Sequence, residues 1–173
     1  MGRKYFKPNS GYTGRLLEAE LFGELTETKP FGEYEYATYK EAMRQAKKLQ
    51  PHDDPTYPDK NRFASDLYAT LADKLGLEDY SNLEFFTGVQ GQLDYFHRVD
   101  AWFELKTPDG IIIMVTLDVS KNPEKPDAPS GNKADVEFLF PLDGLDPVLD
   151  KEEWFDKVNE VASAAFDKLI LRQ

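Results

Sequence analysis

The chain has 173 residues, no cysteine and a net charge of −11, with 21 Lys/Arg set against 32 Asp/Glu. That length suits one domain with a sizeable core, and the lack of cysteine excludes disulfides, thiolate nucleophiles and cysteine-ligated metals. The acidic balance argues against a general polyanion binder, because nucleic acid is held largely by Lys and Arg on phosphate.

The basic start MGRKYFKPNSGYTGR has no apolar segment behind it, so no signal peptide is expected. No apolar run approaches the roughly 20 residues of a membrane span; a cytoplasmic protein is the expectation. Residues 1–36, rich in Gly, Tyr, Phe and Glu without a sustained period, read as an N-terminal arm or irregular strands. Residues 37–173 read as a single α+β domain.

Thr38-Tyr-Lys-Glu41 has the spacing of a capping box. Tyr39, Ala42, Met43, Ala46 and Leu49 follow at helical spacing, and Pro51 stops the run. The other face of this helix carries Lys40, Arg44, Lys47 and Lys48, a basic stripe that meets either phosphate or plain solvent. The three prolines of PHDDPTYPD make residues 51–59 a loop. A second helix is predicted over about 61–75, with Phe63, Leu67, Leu71 and Leu75 buried and Gly76 as its stop.

LEFFTGV, residues 83–89, reads as a strand, and residues 92–106 alternate throughout as one long strand, with Leu93, Tyr95, Val99, Ala101, Phe103 and Leu105 on one face. Strands are also predicted over 111–119 and in ADVEFLF, separated by the loop KNPEKPDAPSGNK. A final helix opens at Asp150 and buries Trp154, Val158, Val161, Ala162, Ala165, Phe166 and Leu169. The order of elements implies a mainly antiparallel sheet of about four strands flanked by helices.

Pro108-Asp109-Gly110 suits a three-residue hairpin loop with glycine in the left-handed position. That loop pairs Ala101 with Leu117, Phe103 with Val115 and Leu105 with Ile113, so the apolar sets of both strands face one core. The same register sets Asp100 opposite Asp118 with Cβ atoms about 5 Å apart. Two carboxylates at that distance repel by about 3 kcal/mol at an effective dielectric near 20. A divalent cation between them, a lysine across them or a retained proton would offset this. Lys121, Lys125 and Lys133 all lie just past Asp118.

LDYFHRVDAWFEL followed by VTLDVSKNPEK resembles the motif-bearing core of the PD-(D/E)XK nuclease superfamily, over roughly residues 61–140. The resemblance implies a restriction-endonuclease-like core, a helix that often carries an acid followed by three antiparallel strands. It also implies two acids that bind Mg²⁺ (or Mn²⁺), and a lysine that positions or activates the attacking water on DNA. Asp100 matches the first acid and Asp118 the second. The family's lysine position holds Ser120, so Lys121, one residue late, or Lys125 or Lys133 reaching back from the loop would serve instead. The helical acid would be Asp66 or Asp73. The family's helix before its last strand is missing or reduced to the loop at 121–133. A more literal motif, Asp94 with Glu104-Leu-Lys106, ranks second because Glu104 would face Met114.

In this reading Arg3, Lys4, Lys40, Arg44, Lys47 and Lys48 grip the DNA backbone. The alternative is a non-catalytic, acidic protein-binding or accessory module on the same fold. His97 is expected to be a partly buried structural histidine on the long strand, with a role near Asp100 as the sharper option, and His52 to be inert. Trp102 is expected either to stack on a base or to lie under the terminal helix. Two histidines do not suggest a histidine-rich zinc centre.

Overall fold

The computed structural model describes residues 11–124 and 127–173. Its elements are α1 (Gly11–Phe22), α2 (Tyr39–Lys48), α3 (Arg62–Lys74), β1 (Leu83–Thr87), α4 (Gln92–His97), β2 (Ala101–Lys106), β3 (Ile112–Ser120), β4 (Val136–Leu139) and α5 (Lys151–Arg172). The strands form one sheet in the order β1-β2-β3-β4. The first two interfaces are antiparallel and the last is parallel. The fold is therefore α+β, as the element order implies.

The hairpin register is the expected one. Ala101 pairs with Leu117, Phe103 with Val115 and Leu105 with Ile113. Thr107 and Gly110 close the turn through Thr107 N–H to Ile111 O at 2.8 Å and Gly110 N–H to Thr107 O at 2.9 Å. Gly110 has φ +81°, and a Cβ built there meets nothing within 4 Å. The backbone conformation alone therefore selects glycine. Gly110→Ala is expected to cost about 1 kcal/mol, read as a shift of the urea midpoint at constant slope.

Ala101, Phe103, Leu105, Val115 and Leu117 pack on one side of the sheet with Leu17, Leu21 and Phe22 of α1, Phe63 and Leu67 of α3, and Trp154 and Val158 of α5. On the other side, Trp102 packs with Ala42, Met43 and Ala46 of α2 and with Leu93 and Val99. The sheet is thus covered on both faces, and five of the six β2 residues are buried. Trp102 lies under α2 rather than under the terminal helix, because even positions of β2 face away from α5.

The N-terminal stretch differs from the expected arm: residues 11–22 are helical, and Leu17 and Leu21 stand at i, i+4 on a face sealed into the core. Asn61 fixes the end of this helix by donating its side-chain amide to the carbonyls of Ala19 and Glu20 at 3.1 and 2.9 Å. The Glu20 carbonyl is among those a helix C-terminus leaves without a backbone partner, while Ala19 O also accepts the Gly23 N–H at 2.8 Å. The Thr38–Glu41 capping box forms as predicted.

Residues 92–106 are not one strand. Gly91 caps a short helix, α4, and β2 begins only at Ala101. A Cβ on Gly91 would stand 2.5 Å from Leu25 Cδ1, so the bend before α4 admits only glycine without a shift of Leu25.

At the far end of α5, Arg172 forks onto both oxygens of Asp135, at 2.8 and 2.6 Å. Burial pushes the Asp135 carboxyl up, but Arg172 and the amide and hydroxyl of Thr116 outweigh it and hold it below the usual aspartate value. A carboxylate depressed in the folded state stabilises above its unfolded value, near 3.9, and loses that contribution as pH falls through the folded value. Arg172 is partly open to solvent, so Arg172→Ala is expected to cost only about 1 kcal/mol at pH 7. The gap between variant and wild type should narrow as pH falls below about 4, as measured by urea unfolding at pH 7 and pH 3. No helix among the described residues is long and apolar enough to cross a membrane.

Candidate functional site

The β2–β3 ladder ends at Ala101 and Leu117, one residue short of the expected rung between Asp100 and Asp118. The Asp100 amide instead donates to Leu117 O at 2.8 Å, and its carbonyl accepts from Gly88 N–H at 2.7 Å. Its carboxylate takes the Val119 N–H at 2.8 Å. Asp100 is 0% exposed and Asp118 7%. A side chain thus supplies the acceptor that a strand carbonyl would have supplied, which draws Asp100 inward. On its other side Asp118 is aligned with Glu137 of β4. Asp118 and Glu137 stand between two cavities, of about 240 and 170 Å³.

Two further acids meet Asp100. Single carboxylate oxygens of Glu18 on α1, Asp94 on α4 and Asp100 lie within 4.8 Å of one another, and Asp94 and Asp100 are buried. Asp94 is set by the first turn of α4, where its Oδ2 accepts Gln90 N–H at 2.9 Å. The turn closes at Arg98, the C-cap, in a left-handed conformation with φ +53°. Three hard oxygen donors at this spacing match the coordination chemistry of Mg²⁺ or Mn²⁺. Asp118 is not one of the three.

Glu18 was not singled out in the sequence. Its signal is the Leu17/Leu21 pair, which makes residues 15–22 a helix and sets Glu18 beside the buried stripe. Asp94 entered only as part of the second-ranked motif. In that motif Glu104 is held by both carboxylate contacts of Lys47, at 3.1 Å, and by Trp102 Nε1 at 3.1 Å, and Lys106 is exposed.

The other candidates are spread more widely. Asp66 accepts from Arg62 and from Trp154 Nε1, and Asp73 accepts from Tyr80 Oη; neither joins the three-carboxylate group. Lys121 donates to Leu142 O at 3.1 Å. Burial lowers its pKa, opposed by Asp143 and Glu20. Ser120 Oγ donates to Asn122 O. Lys133 shares a cavity wall with Asp118. Arg3, Lys4 and Lys125 lie outside the described residues. On α2, Lys40, Arg44 and Lys48 are exposed, while Lys47 bridges to Glu104 and sits 4.8 Å from the Phe86 ring centroid.

His97 is 1% exposed and lies on α4, not on a strand. Its Nε2–H donates to Ala37 O at 2.9 Å, which leaves Nδ1 to accept from Ser130 Oγ and Asn132 Nδ2 at 3.0 Å each. It ties the loop after β3 to the start of α2. No family model matches the chain, and neither does any curated protein or solved structure.

Proposed function

We propose that this protein is a divalent-metal-dependent phosphodiester hydrolase acting on DNA, of the PD-(D/E)XK kind, with its centre at the end of the β2–β3 hairpin. The observation that carries the reading is the meeting of Glu18, Asp94 and Asp100 within 4.8 Å, beside the end of β3 that bears Asp118. An antiparallel β1-β2-β3 sheet preceded in the chain by helices supports it, with Glu18 on α1 rather than Asp66 or Asp73 on α3 as the helical acid.

The oxygen donors fit Mg²⁺ or Mn²⁺, and such an ion would supply charge neutralisation at the phosphate and a more acidic water. The residues themselves hold geometry. Val119 N–H fixes the Asp100 carboxylate, α4 fixes Asp94, and burial keeps bulk water from the group. Lys40, Arg44 and Lys48 present positive charge on the outer face of α2 to a strand backbone. In hydrolysis the water oxygen bonds to phosphorus, the P–O bond to the leaving nucleoside breaks, and one water proton passes to the leaving oxygen.

A non-catalytic acidic module is favoured by a separate observation. Ser120 replaces the motif lysine and its hydroxyl is engaged with Asn122, while Lys121 is engaged with Leu142 O. Calorimetric titration with Mn²⁺ of wild type, Asp100→Asn and Asp118→Asn, paired with a strand-cleavage assay, separates the two. The hydrolase reading expects metal binding and cleavage in wild type, both lost in Asp100→Asn. No binding at millimolar Mn²⁺ would overturn it.

A further inference from the structure

The cavity of about 170 Å³ beside Asp118 is walled by Arg98, Asp118, Asp127, Asn132, Lys133 and Glu137. Arg98 is the unusual member. Its Nε is sealed from solvent and has no hydrogen-bond partner, and its guanidinium forms no ion pair with any described residue although three acids share its cavity. An arginine in such company ordinarily forks onto a carboxylate. A buried N–H left without a partner is costly, and so is a left-handed backbone at a residue other than glycine; Arg98 carries both, with φ +53°. Two costs concentrated at one residue in a cavity wall point to a ligand that repays them.

The chemistry of the wall narrows that ligand. A guanidinium is a planar fork of N–H donors suited to the oxygens of carboxylate or phosphate. Lys133 adds a second cation and Asn132 an amide donor, in the wall that also holds Asp118. We propose that Arg98 binds the non-bridging oxygens of a nucleic-acid phosphate, assisted by Lys133, and supplies the positive charge that Ser120 lacks. This rests on the hydrolase reading and names the residue through which that site recognises its substrate. Arg98 keeps its proton throughout and acts by contact with the phosphate.

The test uses the full chain and a fluorescently labelled oligothymidylate strand, with Ca²⁺ in place of Mg²⁺, read by anisotropy across a salt series. Arg98→Gly is expected to weaken binding about tenfold or more and to flatten the salt slope by about 0.7, the share of one single-strand phosphate contact. Its melting temperature should be unchanged or higher, because glycine takes a positive φ without strain. Arg98→Lys should restore the slope and only part of the affinity, since a lysine keeps the charge without the fork. Equal affinity and slope in wild type and Arg98→Gly would overturn the proposal, as would a wild type that does not bind the strand.

Manganese titration without nucleic acid separates the two readings. If Mn²⁺ binds and strands are cut while Arg98→Gly binds like wild type, only the Arg98 assignment falls. If no metal binds but strand affinity is still lost in Arg98→Gly, the Arg98 contact stands and the hydrolase reading falls.

Discussion

Phe22→Ala is expected to lower the free energy of unfolding by about 3–5 kcal/mol, a large share of the 5–15 kcal/mol typical of a domain. Phe22 is 0% exposed and ends α1. Its ring centroid lies 6.2 Å from Phe63, 6.1 Å from Phe85 and 6.3 Å from Phe138, so one side chain joins α1 to α3, β1 and β4. Truncation removes the ring's transfer energy and leaves a cavity between three elements that other contacts hold apart. Leu16, on the outward face of the same helix, is 36% exposed, and Leu16→Ala should stay within about 0.5 kcal/mol. Urea unfolding of the pair tests whether α1 is part of the core. Equal, small effects would mean that it is not.

Asp100→Asn is expected to abolish the response to Mn²⁺ while leaving the metal-free protein folded. Wild type at a metal concentration one hundred times its dissociation constant should gain about 2.7 kcal/mol, and the variant should gain nothing. The substitution is mild where the fold depends on it, because an asparagine Oδ1 still accepts the Val119 N–H that Asp100 Oδ2 now takes. It also removes one of three carboxylates whose oxygens lie within 4.8 Å. Melting curves with and without 5–10 mM Mn²⁺ (about a hundredfold excess for a site of ordinary strength) measure both effects. A wild-type curve that does not move with metal would remove the basis of the proposed function.

Local chemistry made much of this fold legible. A Pro-Asp-Gly bend with a left-handed glycine admits one hairpin register, and the capping box at Thr38 admits one start for α2. One segment that escaped, α4, is too short for its period to be distinctive. Leu93, Tyr95 and His97 alternate like a strand, but Leu93, Phe96 and His97 also recur at i, i+3 and i+4. Over six residues the two patterns coincide, so the period alone does not choose between them. The candidate site was legible to the same extent. Asp100 and Asp118 follow from the hairpin, whereas Glu18 and Asp94 lie on the two helices whose form was misread. Arg98 became conspicuous only through its missing partners.

The closing bond between β2 and β3, from Val119 N–H to the Asp100 carboxylate, makes one side chain both a structural member and a prospective ligand. Whatever draws on that carboxylate also draws on the seam between two central strands. A substitution that keeps an acceptor for the Val119 N–H therefore changes the charge at this position and spares the seam, whereas one that removes the acceptor opens the seam as well.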